Sequence, residues 1–383
     1  MFRILGRNFI NPAKINSRNL VQKTITLNNQ PEIVYVANSD SLNNLKDYFK
    51  DIKQIGIIGW GSQAPAQAQN LRDSLNKIDL DIPIKIGLRE NSSSIEKSKE
   101  LGFDVDNIET ILGESDLNIL LTSDASQAEN CKHFFSCLKP GSTLGLSHGF
   151  LLGHLKNIKE EFPDNNIIMV APKGMGPSVR KLYLENSGIN SSFAVYRDID
   201  GRAEDIALGW AVGIGSPQIF ETTMEKEYVS DIFGERAILL GGIHGIVEYL
   251  FRKYNLTHDF YNSYNRSVTY LVGNLSKNIS KNGLLSVYLG LDDFNKKKFG
   301  EYYTKGYNIS KPLFEEIYDE VESGNEIRSV ILNSGRPMGE ISNSKMWIGS
   351  IEEKYIISYE DSETSGLYIG CMMAQIDILM EKE

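Results

Sequence analysis

Residues Gln54–Ala64 read QIGIIGWGSQA. An apolar run leads straight into Gly59-Trp60-Gly61, Ala64 stands at the third small position, and a stretch rich in Gln, Ala, Leu and Arg follows. In this strand–turn–helix setting, a G-x-G-x-x-G/A pattern predicts a dinucleotide site. The first glycine permits the tight turn and the second lets a pyrophosphate approach the backbone. The helix start then offers unpaired N–H groups and a positive dipole to the phosphates. Gly59, Trp60, Gly61, Ser62 and Gln63 are therefore candidate cofactor-binding residues. A tight turn with no ligand is the alternative, and the flanking strand and helix weigh against it.

Outward from this turn, short β-rich apolar runs alternate with helical stretches. Strands are expected at Gln54–Gly59, Ile84–Leu88, Asn118–Leu121, Thr143–Leu146, Ile167–Ala171 and Phe193–Tyr196. Helices are expected at Ala66–Leu75, Ile95–Leu101, Ala125–Leu138 and Gly201–Val212. Such alternation implies an α/β domain, a Rossmann-like, doubly wound parallel sheet with helices on both faces. After about Phe220 the texture turns helical, with Tyr228–Tyr254, Tyr261–Lys281, Lys311–Ser323 and Leu367–Glu383 as candidates, and Asn333–Ser365 loop-rich. This divides the chain into an extension over 1–50, a dinucleotide domain over 51–221 and an all-α domain over 222–383.

The composition of the 383 residues, 41% hydrophobic and 23% charged, is that of an ordinary globular chain. The net charge of -10 argues against general nucleic-acid binding. Three cysteines, none in a CxxC pair, exclude a disulfide scaffold and argue against structural zinc. No apolar run approaches the ~20 residues of a membrane-spanning helix. Residues 1–31 hold five basic side chains and no acidic one, with Phe2, Leu5 and Phe9 near helical spacing. That pattern reads as a transit peptide over about 1–30, bound for plastid or mitochondrion; without one, the expected compartment is the cytoplasm.

The strand ending at Leu88 is followed by Arg89-Glu90-Asn91-Ser92-Ser93-Ser94. An acidic residue at this place would take a ribose 2′-hydroxyl, and an arginine a 2′-phosphate. Arg89, Ser92 and Ser94 favour NADP; Glu90 opposes it, and a polar surface loop is the plain alternative. In the helical half, Asp231 and Glu235 lie four apart and share a helix face. Two carboxylates so spaced suit a hard cation such as Mg²⁺, although spacing alone favours a solvated face. His148 and Lys173 each follow an expected strand, where ligands of open α/β sheets gather. His154 and His244 fall in helical patterns and read as packing or surface residues.

Several long segments together resemble the ketol-acid reductoisomerases, in their long plant-type form. They are IGWGSQAPAQAQNLRDSL (Ile58–Leu75), LGLSHGFLLGHL (Leu144–Leu155), APKGMGPSVRKLY (Ala171–Tyr183), GINSSFAVYRDIDGRAEDIALGW (Gly188–Trp210) and SDIFGERAILLGGIHGIVE (Ser230–Glu248). EIRSV (Glu326–Val330), PMG (Pro337–Gly339) and MMAQI (Met372–Ile376) also match, so the likeness runs from about Asp51 to the C-terminus. It implies Mg²⁺-assisted alkyl migration in a 2-aceto-2-hydroxy acid, then reduction by NADPH to a 2,3-dihydroxy acid, in branched-chain amino-acid synthesis. Asp231 would bridge two Mg²⁺ ions and Glu235 would hold one. His148 and Lys173 would line the site, handling protons and stabilising charge. Arg89, Ser92 and Ser94 would read the 2′-phosphate, while Asp124, Gln127 and Gly176 would contact the cofactor. The resemblance further implies a knotted path in the helical domain. The expected partners are small-molecule acids and a second copy in a homodimer, with neither nucleic acid nor membrane.

The family takes further metal-ligand glutamates and a substrate-binding serine from helices after the MMAQI segment, and this sequence ends at Glu383. Phe260–Leu291 contains neither Asp nor Glu, and Asp377 and Glu381 read as helix surface. An incomplete version of a longer product, a chain completed by another polypeptide, and an NADPH binder without turnover all remain open. The expectation is NADPH binding with very low turnover. Beside the reductoisomerase stand two other hypotheses: a metal-independent nicotinamide oxidoreductase with a helical dimerisation domain, and a non-catalytic dinucleotide module.

Overall fold

The computed structural model describes residues 20–27, 30–38, 40–334 and 361–382. They divide into two compact units, with the division between Tyr228 and Val229. Of the transit-peptide expectation over about 1–30, residues 1–19, 28 and 29 lie outside the described residues, as does the PMG segment, and Val21–Leu27 form a strand.

In the first unit the chain order is β1 (Val21–Leu27), β2 (Gln30–Val36), β3 (Ile55–Ile58), α1 (Ala64–Lys77), β4 (Ile84–Gly87), α2 (Ser94–Glu100), β5 (Asp104–Asp106) and α3 (Ile108–Glu114). It continues with β6 (Leu117–Leu120), α4 (Asp124–Cys137), β7 (Thr143–Leu146), α5 (Phe150–Ile158), β8 (Asn166–Pro172), α6 (Gly176–Leu184), β9 (Ser191–Arg197), α7 (Ala203–Gly213) and β10 (Gln218–Glu221). All ten strands form one sheet in the order β1-β2-β10-β9-β8-β7-β6-β3-β4-β5.

The six strands from β8 to β5 pair in parallel, and their order reverses between β3 and β6. A crevice at the C-terminal ends of β3 and β6 is where such sheets bind nucleotides. The expected parallel sheet is therefore the part that runs from β8 to the β5 edge. Strand β9 runs antiparallel to β8, with Pro172 opposite Ser191. It does so because α6 and the turn at Gly188 (φ +64°) return the chain to the edge it has just left. The strand expectations begin at Gln54, yet the hairpin β1–β2 precedes them and pairs antiparallel with β10.

Every residue of β3 is buried, so both faces of the sheet are covered there. On one face Ile55 and Ile57 share a core with Ala64, Ala68, Leu71 and Leu75 of α1 and with Trp210 of α7. On the other, Gly56 lets α3 settle, since a Cβ there would lie 2.6 Å from the Ile111 side chain. Trp210 is sealed against Gly145 of β7, where a Cβ would come 2.7 Å from the indole ring. Trp210→Ala is expected to destabilise the first unit by about 3–5 kcal/mol, the usual range for emptying a large aromatic site. Urea unfolding followed by circular dichroism measures this, and a loss under about 1 kcal/mol would contradict the packing account.

The second unit is helical, as expected. Helix α8 (Met224–Gly234) enters it and runs into a π-helical stretch, Glu235–Gly242, then α9 (Ile243–Tyr254). A second π-helical stretch spans Asn265–Leu275. The longest helix, α10 (Asp293–Glu322), packs on α11 (Ser362–Lys382). Small residues set their separation: a Cβ on Gly306 would lie 2.5 Å from the Leu367 carbonyl, and one on Gly366 2.6 Å from that of Phe299. The start of α11 is tied down electrostatically. Asp361 accepts from Tyr254 Oη and pairs with Arg266, while Glu363 pairs with Lys253 and Lys298. The expected loop Asn333–Ser365 lies mostly outside the described residues; its last four belong to α11. Helix α10 begins at Asp293, capped by Asp292, rather than at Lys311, and runs through Pro312.

Candidate functional site

Strand β3 ends in the glycine turn. Gly59 has φ +94°, and a Cβ there would lie 2.7 Å from Thr122 Cγ2 and 2.8 Å from Thr122 N. Only glycine meets both demands. Its N–H donates to the Gly87 carbonyl at 2.9 Å, while Leu121 N donates to the Ile58 carbonyl at 2.8 Å, holding β4 and β6 on either side. Trp60 packs on the core edge-to-face with Phe103, whose ring also carries the Arg72 guanidinium. Gly61 and Ser62 are exposed. Gln63 occupies the cap position of α1 without capping it, so the first N–H groups of that helix have no side-chain partner from the cap. Its amide instead donates to the Gly174 carbonyl at 2.9 Å.

Gly176 opens α6 directly against this turn. A Cβ there would overlap the Ser62 carbonyl oxygen and fall 2.5 Å from its carbon. At the end of β6, Gln127 Nε2 donates to the Thr122 carbonyl at 2.9 Å. Gln127 Oε1 and Thr122 Oγ1 are buried without a hydrogen-bond partner among the described residues. Buried polar atoms left open beside a cradle that admits no Cβ are what a bound nucleotide would satisfy. Sequence reasoning did not single out Thr122.

At the end of β4 the chain turns through Asn91 (φ +59°). Arg89 offers its carbonyl to Ser92 N at 3.2 Å, and Ser92 Oγ accepts from Ser94 N at 3.3 Å. The turn brings Arg89 and Ser92 beside Ser94, the first residue of α2, with Arg89 and Glu90 exposed.

His148 follows β7, half-buried and stacked on Phe150. Its Nδ1 lies 3.5 Å from Asp124 Oδ1, at the first residue of α4. Lys173 follows β8 and pairs with Glu227, whose carboxylate is buried. Glu227 was missed by sequence reasoning. The signal was the four-residue spacing, which continues back from Glu235 and Asp231 to Glu227. His154 is buried in α5, where burial lowers its pKa against the opposing pull of the Ala128 carbonyl; His244 is exposed.

In the second unit, Asp231 is half-buried on α8, and Glu235 is exposed at the first residue of the π-helical stretch. Two carboxylates one turn apart match the oxygen-only preference of Mg²⁺, which keeps several waters and needs one or two such ligands. Among the described residues there is no group of three or more His, Cys, Asp or Glu that could hold a metal. The donor set therefore fits one hydrated ion and does not by itself provide for a closely spaced pair. Asp377 and Glu381 are engaged elsewhere, on Tyr307 Oη and Lys311 Nζ, each at 2.7 Å. Among the described residues no helix is long and apolar enough to cross a membrane.

Two family models match the chain. The NADPH-binding domain of acetohydroxy acid isomeroreductase matches residues 49–219, and the C-terminal domain of ketol-acid reductoisomerase matches 224–354. The chain is 46% identical to the chloroplastic ketol-acid reductoisomerases of Spinacia oleracea and Pisum sativum, with 94% of it aligned to each. It spans about two thirds of the length of these relatives, 65% and 67%. The mitochondrial ketol-acid reductoisomerase of Neurospora crassa is 33% identical, over 88% of this chain and 85% of that protein. Among solved structures, an NADH-preferring ketol-acid reductoisomerase from an uncultured archaeon superposes with a TM-score of 0.67 at 25% identity. That match covers 78% of this chain and 90% of the other.

Proposed function

The chain belongs to the ketol-acid reductoisomerase family, and on that premise we propose that it acts on 2-acetolactate or 2-aceto-2-hydroxybutanoate. It would migrate the alkyl group and reduce the product with NADPH to a 2,3-dihydroxy acid, within valine, leucine and isoleucine synthesis. One observation supports this reading best. The loops ending β3, β6, β7 and β8 meet through named contacts: Gly59 on Thr122, His148 on Asp124, and Gln63 on Gly174 beside Lys173. A dinucleotide turn and a pair of proton-handling side chains thus share one end of one sheet.

Gly59–Gln63, Asp124, Gln127 and Gly176 would hold the pyrophosphate and nicotinamide half of NADPH. Arg89, with Ser92 and Ser94, would hold the 2′-phosphate by a fork of donors and two hydroxyls. Asp231 and Glu235 would bind Mg²⁺, which when bound acts as a Lewis acid on substrate oxygens. Lys173, held by its ion pair with Glu227, would present its Nζ to a substrate oxygen that gains negative charge. His148, oriented by Asp124 through Nδ1, would move the proton that reduction requires. Import into plastid or mitochondrion is supported by the basic, acid-free residues 1–31 and by chloroplastic and mitochondrial relatives.

The two-carboxylate donor set favours a second reading, an NADPH-binding chain without turnover. Purified protein is assayed with Mg²⁺, NADPH and 2-acetolactate, alongside fluorescence titration of NADPH and NADH. Turnover with tighter NADPH binding supports the first reading, and binding alone supports the second. Arg89→Ala is expected to erase most of the preference for NADPH, by about tenfold or more for a lost charge-assisted phosphate contact. Equal affinities in the unmodified chain would refute the 2′-phosphate assignment.

A further inference from the structure

We infer that Gln67 is a positioning residue that couples the glycine turn to the loops carrying His148 and Lys173; this rests on the cofactor reading above and extends it. Gln67 lies four residues after Gln63 on α1, so the two amides share a helix face. It is fully buried, in a helix whose other sheet-facing residues, Ala64, Ala68, Leu71 and Leu75, are apolar. Its Oε1 accepts from the Trp210 indole at 2.9 Å, and its Nε2 donates to Ser147 Oγ at 2.9 Å. Ser147 Oγ in turn donates to the Val170 carbonyl at 2.8 Å.

The polarity of this run is fixed by chemistry. An indole N–H can only donate, so it claims the amide oxygen and turns Nε2 toward Ser147. A carbonyl can only accept, so the Ser147 proton points at Val170. The Ser147 side chain thus has one orientation, and His148 is the next residue. At the other end of the shared face, Gln67 Nε2 also lies 3.4 Å from Gln63 Oε1, and Gln63 Nε2 holds the Gly174 carbonyl, next to Lys173. One helix face therefore grips the phosphate turn, the β7–α5 loop and the β8–α6 loop at once. Settling of the turn on a pyrophosphate would be carried to both loops.

The test is amide hydrogen exchange on the full chain with and without NADPH. In the unmodified protein, NADPH should slow exchange in 59–67 and also in 147–153 and 173–179. Gln67→Leu should keep the slowing at 59–67 and lose it at 147–153. Ser147→Ala, which leaves the Trp210–Gln67 and Gln63–Gly174 bonds in place, should lose it at 147–153 alone and serves if the leucine variant does not fold. A purely structural role would raise exchange without NADPH and leave the cofactor-dependent slowing unchanged. That result in both variants, or an unmodified chain responding only at 59–67, would overturn the coupling. No response anywhere would refute the cofactor reading itself, and the coupling with it.

Discussion

Gly176→Ala is expected to weaken NADPH binding by about a hundredfold, equivalent to about 2.7 kcal/mol. The reason is space and not flexibility. A Cβ at this position would overlap the Ser62 carbonyl oxygen and sit 3.0 Å from Gln63 N, and both are backbone atoms of the phosphate turn. A clash with a side chain can be relieved by a new rotamer, but here either α6 or the turn must shift bodily. A shift of the turn misaligns the N–H groups that would face the pyrophosphate. The fold itself should survive with a loss of about 1–3 kcal/mol, as for other overpacked sites. Gly300→Ala is the control: nothing lies within 4 Å of its Cβ, and the residue sits inside α10. That change should be neutral or stabilising by up to about 1 kcal/mol. Fluorescence titration with NADPH and a thermal melt on both variants measure these effects. If Gly176→Ala binds NADPH as tightly as the unmodified protein, the close approach has no part in cofactor binding.

The turn was legible because every signal that builds it is local. Ile55–Ile58 supply a run too short for a helix and buried on both faces, and Gly59 stands where a positive φ is needed. Elements whose existence depends on distant pairing were not. Strand β10 is four residues long and is defined by lying between β2 and β9. The hairpin β1–β2 did carry a local sign: two residues, Asn28 and Asn29, separate two β-rich runs, a favoured hairpin connection. Pro312 reads as a helix start, since proline suits a first turn. Tertiary packing overrides that: Gly306, Gly366 and Gly370 let α10 and α11 lie close along the length that includes Pro312. In the site, His148 and Lys173 were visible as strand-end residues, but their partners Asp124 and Glu227 come from other elements of the unit. Gln67 looked like one polar residue among several in α1, and only its burial against Trp210 and Ser147 sets it apart.

Asp231→Asn is expected to lower Mg²⁺-dependent turnover by at least a hundredfold, about 3 kcal/mol or more in the barrier, while changing the NADPH dissociation constant less than twofold. Asparagine keeps the volume and one oxygen of aspartate and removes the negative charge. For a hard cation the charge matters most, because a neutral amide oxygen cannot compensate for the water that the ion gives up. Among the described residues no group of three or more His, Cys, Asp or Glu could hold a metal, so no such cluster stands by to replace the lost charge. The residues proposed for the cofactor all lie before Tyr228, in the other compact unit, so the affinity for NADPH is expected to stay unchanged. Asp377→Asn separates a specific effect from a general loss of acidic charge. Its carboxylate is engaged by Tyr307 Oη on a neighbouring helix, and its removal should leave Mg²⁺ binding untouched. Calorimetric titration of Mg²⁺ gives a readout that does not depend on turnover. A weakened Mg²⁺ isotherm in Asp231→Asn, beside normal isotherms in Asp377→Asn and the unmodified chain, supports the assignment. An unchanged isotherm would place the metal on other residues and return the Asp231–Glu235 pair to the role of a solvated helix face.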